Sequence, residues 1–279
     1  MKNIDVCAVM TTFEPSQNIE EIILNVLEQV GTVIVVNDSG QKYELLESIS
    51  LDNVILLNNH VNVGIASSLN VGAKLARDLG YKYLLTLDDD SVISPNYVSD
   101  LYDFFNNKDN NACLVCGTYN RVDADKLNGY KKKLVVITSG SLCRVDDFFS
   151  IDGFAEELFI DYVDFDFCLR MMKKTNASIY EVNSANFKHQ IGESVNGKLF
   201  LGLSSFDHSA FRLYYQIRNL IYMIKRHSLS YPLLVVYLSR NLVVLPLKIL
   251  LIDSNKITKL KFIIKGAYDG CLGNWGKLS

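Results

Sequence analysis

Glycine-rich phosphate loops are missing from this 279-residue chain: no G-x-x-x-x-G-K-[ST] occurs anywhere, and no G-x-G-x-x-G follows the first apolar run. That argues against a P-loop nucleotide hydrolase and against a dinucleotide-dependent dehydrogenase, which cradle phosphates on such loops. Residues 11–16 hold no basic residue, so a nucleotidyltransferase would lack its grip on a triphosphate. Cysteine is sparse, with six scattered residues. Cys113 and Cys116 have metal-ligand spacing but lie in an apolar, strand-like run with no second pair, which disfavours both a zinc site and a disulfide framework. No separate apolar signal core precedes the strand-like start of the chain, so the expected compartment is the cytoplasm, with reduced thiols. Acidic residues are scarce in one region only. Residues 211–279 carry 2 Asp and Glu against 11 Lys and Arg, whereas residues 1–210 carry 29 against 17. An acidic body disfavours nucleic-acid binding, and a basic, apolar tail suggests contact with an anionic surface.

What is present describes a folded α/β chain, 49% hydrophobic and 21% charged. Strand-like apolar runs fall at 4–10, 32–36, 53–57 and 82–87. Between them, Ile19, Ile22, Ile23, Val26, Leu27 and Val30 form one helical stripe, and Ile65, Leu69, Ala73, Ala76 and Leu79 form another. Strands alternating with helices predict a parallel, doubly wound sheet. Polar clusters close the first, second and fourth strands, at the edge where such sheets bind nucleotides. Thr11 and the Asn37-Asp38 turn are therefore candidates to hold one. Further on, 96–107 reads as a helix. Residues 112–119 and 134–138 read as strands, joined by a polar stretch containing Lys131–Lys133. The division expected is a body over 1–210 and a helical, basic region over 211–279.

The fourth strand ends in three carboxylates, Asp88, Asp89 and Asp90. Like charges at one strand end repel, and a hard cation with oxygen ligands removes that repulsion. Mg²⁺ or Mn²⁺ held by one or two carboxylates and a substrate's phosphates fits this pattern. Ser139-Gly140-Ser141 is a small-residue turn that lets backbone approach a ligand. A second acidic cluster, Asp161, Asp164 and Asp166, follows. If it opens a helix, the dipole there explains Asp161 and Asp166 without chemistry, and Asp164 is the better candidate for chemistry.

Seven motifs occur in order: Thr11-Thr12, Val33–Gly40, Asn62-Val-Gly64 with Asn70-Val-Gly72, Asp88–Ser91, Ser139–Ser141, Val163–Arg170 and Tyr214–Asn219. Over residues 3–227 the chain resembles family 2 glycosyltransferases, most closely the bacterial rhamnosyltransferase-like branch that builds surface polysaccharides. The resemblance implies a GT-A fold, a Rossmann-like, mostly parallel sheet flanked by helices, with a C-terminal helical extension. It implies Asp88 and Asp90 as the outer members of a D-x-D motif, contacting the nucleotide and a Mn²⁺ or Mg²⁺ ion that His189 can also bind. It implies Asp164 as catalytic base for an inverting transfer. Thr11, Thr12, Asn37, Asp38, Asn62, Gly64, Asn70, Asp88, Asp89 and Arg218 are the expected donor contacts. Ser139, Gly140, Ser141, Asp161 and Tyr215 are the expected acceptor or sugar pocket. Two departures stand out. This chain has Val36-Asn37-Asp38 where members usually read V-D-N, and Val163 where many place Glu.

Residues 232–252 are nearly continuous apolar sequence, long enough to span a bilayer but interrupted by Arg240, Pro246 and Lys248. A central arginine disfavours a single span and favours an in-plane or re-entrant helix on the inner face of the cell membrane, with a homodimer interface as the alternative. The partners implied are a dTDP- or UDP-sugar donor and a polyprenyl-diphosphate-linked glycan acceptor.

Overall fold

Val6, Cys7, Ala8, Val9 and Met10 are all fully buried. Unbroken burial, rather than alternation, marks a strand covered on both faces. In the computed structural model, which describes residues 3–107, 111–119, 129–189, 209–251 and 253–278, these residues form the centre of β1 (Asn3–Thr12). The described residues divide into two units: 1–159 with 163–190, and 160–162 with 191–279. The sequence suggested a division at 210/211; residues 190–208 lie outside the described set.

In the first unit, β1 pairs in parallel with β2 (Val30–Asn37) and β4 (Tyr83–Asp88), and β2 with β3 (Val54–Asn58). Helices α1 (Ile19–Leu27) and α3 (Ile65–Asp78) connect them; a short α2 (Glu44–Glu47) precedes β3. Ile19, Ile22, Ile23 and Val26 are the buried stripe of α1, and Ala66, Leu69, Ala73 and Ala76 that of α3, as the helical spacing predicts.

Beyond β4 the sheet becomes mixed. β5 (Ser91–Ile93), α4 (Tyr97–Asn107), β6 (Ala112–Tyr119), β7 (Tyr130–Lys133), β8 (Ser141–Arg144), α5 (Val145–Ser150), α6 (Val163–Thr175) and β9 (Ser178–His189) follow. The strand order is β3-β2-β1-β4-β8-β6-β9-β5, with β7 on β9. β8 runs antiparallel between β4 and β6, and β9 runs parallel to β6 but antiparallel to β5 and β7. One expectation is corrected: residues 134–138 form no strand, and the lysine-rich stretch before them does. β7 pairs only with β9 among the described strands, so its lysines face solvent, the usual protection of an edge. Lys133 also reaches Glu181 (3.0 Å).

The second unit holds α7 (Ala210–His227), α8 (Pro232–Ser239), α9 (Asn241–Leu251) and α10 (Lys256–Leu272). Ser209 caps α7 by accepting from the Arg212 amide (3.3 Å). Arg240, between α8 and α9, keeps helical backbone angles (φ −55°, ψ −26°). The core here is small: Leu213, Ile217, Ile249 and Ile263.

Candidate active site

Parallel pairing brings the ends of β1, β2 and β4 into one row. Thr11 lies opposite Asp88, and Thr12 opposite Asn37. Past Asp88 the chain turns through Asp89 and Asp90 and returns as β5. Thr12 Oγ1 donates to Asp89 Oδ2 (2.5 Å), which ties the turn back to β1. β9 brings His189 into register with Ser91, next in sequence to Asp90; its side chain lies outside the described residues. Among the described residues no three His, Cys, Asp or Glu side chains gather into a metal cluster. Two carboxylates are what Mg²⁺ typically takes when phosphates complete its shell, and by side-chain chemistry Asp88 and Asp90 fit such a hard cation.

The turn after β2 is built from internal bonds. Asn37 is fully buried. Its Nδ2 donates to the Gln41 carbonyl (2.7 Å) and Asn58 Oδ1 (2.8 Å), and its Oδ1 accepts from the Ser39 amide and hydroxyl. Asp38 is also buried. Its carboxylate accepts from Asn59 Nδ2 (2.9 Å) and from the Val63 (2.8 Å) and Gly64 (2.9 Å) amides. Asn62 Oδ1 accepts from the same Gly64 amide (3.0 Å). Asp38 and Asn62 therefore shape the loop that enters α3. Gly64 sits at φ +90°, and a Cβ there would lie 2.5 Å from the Phe159 ring. Asn70 is spent on the 154–156 segment, donating to the Phe154 carbonyl and Glu156 and accepting from the Phe154 amide.

The Ser139–Ser141 turn is fastened to the carboxylate turn. Ser139 Oγ accepts from the Asp88 amide (3.0 Å) and shares a hydrogen bond with Ser91 Oγ (2.8 Å). Ser141 Oγ donates to the Ile137 carbonyl (2.7 Å). Tyr97, which the sequence reading passed over as a helix residue, donates to the Gly140 carbonyl (2.6 Å) and accepts from the Gly117 amide (3.0 Å). Burial, reinforced by the neighbouring Cys116 thiol, pushes its hydroxyl pKa well above the ordinary tyrosine value, so it stays a donor. Nothing in the local sequence of α4 signals this role, because both partners are distant in the chain.

The second acidic cluster separates into three environments. Asp166 is fully buried and accepts from Arg170 Nε (2.6 Å), whose Nη1 donates to the Ile151 carbonyl (2.6 Å). Asp161 belongs to the second unit, where Arg212 donates to it (3.2 Å). Asp164 stands half-buried in the first turn of α6, its Oδ1 accepting from the Phe165 amide (2.9 Å). It lines a small cavity with Thr86, Val136, Ile137, Phe154 and Phe167. Phe159, Asp161 and Tyr162, just before α6, have positive φ (64°, 60° and 64°), a conformation costly for such residues and common beside functional sites.

Tyr215 and Arg218 belong to the second unit. Arg218 is 1% exposed. Its guanidinium lies 4.7 Å from the Tyr215 ring centre and donates to Asn219 Oδ1 (2.9 Å) and to the Gly276 carbonyl. Tyr215 accepts from the Leu278 amide (2.7 Å). Asn219, fully buried, donates to the Ile160 (2.6 Å) and Asp161 (3.0 Å) carbonyls.

A parallel sheet giving way to a mixed one, flanked by helices, is the GT-A fold of glycosyltransferases. The chain belongs to glycosyl transferase family 2, whose model matches residues 7–175. A Shigella flexneri protein, dTDP-rhamnosyl transferase RfbF, is 26% identical over 298 residues, covering 98% of each chain. Two solved structures share the fold. Staphylococcus aureus TarS 1–349 aligns with 98% of this chain and 72% of its own at 13% identity and a TM-score of 0.54. GalNAc-T7 with UDP, GalNAc and Mn²⁺ aligns with 76% of this chain at 12% identity and a TM-score of 0.59. This chain spans 47% of GalNAc-T7, about half its length. The protein is a glycosyltransferase, rhamnosyltransferase-like in sequence.

Proposed function

We propose that this glycosyltransferase moves L-rhamnose from dTDP-rhamnose, with inversion, onto a hydroxyl of a polyprenyl-diphosphate-linked glycan. It would thereby extend a bacterial surface polysaccharide of O-antigen or capsule type at the inner membrane face. The observation that carries the donor is the near full-length likeness to a protein named as a dTDP-rhamnosyl transferase; UDP-galactofuranose or a UDP-hexose is the alternative donor.

Asp164 is the base. It takes the proton from the acceptor hydroxyl as that oxygen attacks the anomeric carbon and the bond to the nucleoside diphosphate breaks. One base is enough for a single displacement, so no covalent sugar–enzyme intermediate is needed. It sits in the first turn of α6, at the positive end of the helix dipole. Asp88 and Asp90, with His189, would hold a Mn²⁺ or Mg²⁺ ion, which supplies positive charge against the leaving diphosphate. Thr12 orients Asp89, and Ser139 fixes the Asp88 backbone and Ser91, so the turn presents its carboxylates in one arrangement. Asp38 and Asn62 hold the 62–64 loop, and Asp38 would influence the donor through that loop.

The test is donor turnover. Purified protein with Mn²⁺ or Mg²⁺ is given a panel of dTDP- and UDP-sugars with a synthetic polyprenyl-diphosphate-linked acceptor, and released nucleoside diphosphate is followed with and without EDTA. Release from dTDP-rhamnose that EDTA stops, and that Asp164→Asn and Asp90→Ala both lose, is the expected result. Turnover of only a UDP-sugar would overturn the donor; turnover insensitive to EDTA would overturn the metal.

A further inference from the structure

The helical path from Pro232 to Leu251 has two unlike sides. Val235 and Leu238 are buried, and Ile249 is part of the second unit's own core. The opposite side shows Leu233, Val236, Val243, Leu247 and Leu250 at 86%, 71%, 62%, 47% and 50% exposure. These positions, with Arg240 between them, recur every three to four residues and so form one stripe along the helix. Exposed aliphatic side chains in a continuous row are unusual on a surface meant for water. α10 repeats the pattern in shorter form, with Ile257 and Ile264 at 74% and 68% exposure and Lys261 between them.

We infer that this stripe is a docking face for an anionic lipid surface, on which α8 and α9 lie in the membrane plane rather than across it. The inference rests on, and sharpens, the reading of the enzyme as one that works on a lipid-linked acceptor. Length alone does not decide between lying and crossing, because 20 residues with this hydropathy are long enough to span. Two observations decide it. Burial is one-sided, so one flank of the helix is committed to α7 and α10 and cannot face acyl chains. Arg240 sits exposed at mid-helix, where a crossing helix would hold it at the bilayer centre. In an in-plane helix the same arginine reaches the headgroup layer while its neighbours enter the acyl boundary. Charge chooses the lipid: 11 basic against 2 acidic residues over 211–279 complement an anionic headgroup layer.

The experiment is co-sedimentation of the full chain with vesicles of phosphatidylcholine alone and of phosphatidylcholine with phosphatidylglycerol. It is run for the native protein, Leu233→Glu/Leu247→Glu, Lys261→Ala and the control Val71→Glu, an exposed site on α3 of the first unit. Thermal unfolding shows that each variant is folded. Binding should be strong only with the anionic vesicles. It should fall more than about tenfold in the double variant and about fivefold in Lys261→Ala, stay unchanged in Val71→Glu, and release at pH 11 in carbonate. Donor turnover in detergent, read separately, should be intact in all four. If the double variant binds as well as native protein, this face is wrong while membrane attachment stands. No binding by native protein overturns both. Carbonate resistance would mean a spanning helix. A native dimer that the double variant converts to monomer would make a second copy of the chain the occupant.

Discussion

The two units of this chain distribute polarity in opposite ways. In the first, the sheet core is aliphatic and aromatic, and, beside the Asp166–Arg170 pair, a group of buried polar residues gathers at one edge, where Asn37, Asp38, Ser139 and Thr12 are fastened to neighbouring backbone or carboxylate atoms. In the second, the interior holds charge. Lys259 and Asp253 pair at 2.9 Å with 4% and 7% exposure, Arg218 is buried among aromatic rings, and Asp269 accepts from Tyr214 (2.8 Å). Several large aliphatic side chains of that unit face outward, from Leu229 at 98% exposure to Leu250 at 50%. The first pattern suits a catalyst that must hold a few polar groups still in water. In the second, buried charges are paired, and part of the exterior is apolar.

The comparison breaks first at Asp164. Asp164→Asn should lower transfer by about 10²–10⁴-fold, the usual contribution of a general base, without moving the thermal midpoint of either unit. A loss of activity with loss of folding would instead make Asp164 part of the framework. In the second unit the matching test is the buried ion pair. Lys259→Met removes the ion-pair partner of buried Asp253 and should cost about 3–5 kcal/mol, whereas Lys259→Met with Asp253→Leu should recover most of it. Urea unfolding followed by the fluorescence of Trp275, the single tryptophan, reads this unit specifically. If the double variant is as weak as the single one, the pair does more than neutralise itself. Gly64→Ala returns to the first unit. A Cβ at φ +90° and 2.5 Å from the Phe159 ring should cost about 1–3 kcal/mol through strain and overpacking. Far-UV circular dichroism measures it, and a neutral result would mean that Phe159 moves aside easily.

Much of the first unit was legible because its strands are continuous apolar runs ended by polar residues, and its helices carry stripes at helical spacing. β7 was not, since three lysines on an edge strand look like a loop until the neighbour they pair with is known. β5 and β8, of three and four residues, are too short for any period to show. α10 was passed over as well, its apolar positions diluted by four lysines. At the site, the residue types were readable but their partners were not. Asp164 could be preferred over Asp166 from the sequence, yet the reason Asp166 is occupied, a 2.6 Å bond from Arg170, is visible only in the fold. Likewise Ser139 and Asn70 sit in recognisable motifs, but each bonds to atoms 51 or more residues away, and no local pattern encodes such a partner. Arg218 was expected among the donor contacts from its motif, but its bond to the Gly276 carbonyl is another that no local pattern encodes.

The smallest effect tests whether the buried polar pairs set the second unit apart in its response to pH. Burial raises the pKa of Asp269, but hydrogen bonds from Asn274, Tyr214 and Lys265 outweigh it and hold the carboxyl below the usual value. A depressed carboxyl pKa adds stability that is present above about pH 4, the unfolded value, and is lost as pH falls through the folded one. Tyr214 moves the other way. Burial, and then its bond to Asp269, pushes its hydroxyl up to about 12. A raised pKa adds stability that is complete below the unfolded value of about 10 and is lost as pH rises toward the folded one. The two groups therefore bracket the second unit between an acid and an alkaline limb. Tyr214→Phe removes the alkaline group and one of the bonds that depress Asp269, so both limbs should flatten together in urea midpoints read by Trp275 from pH 3 to pH 11. Circular dichroism of the sheet should change little by the same substitution. A flattened acid limb with the alkaline one intact would mean that another group in the unit titrates there, and that Tyr214 acts on Asp269 alone.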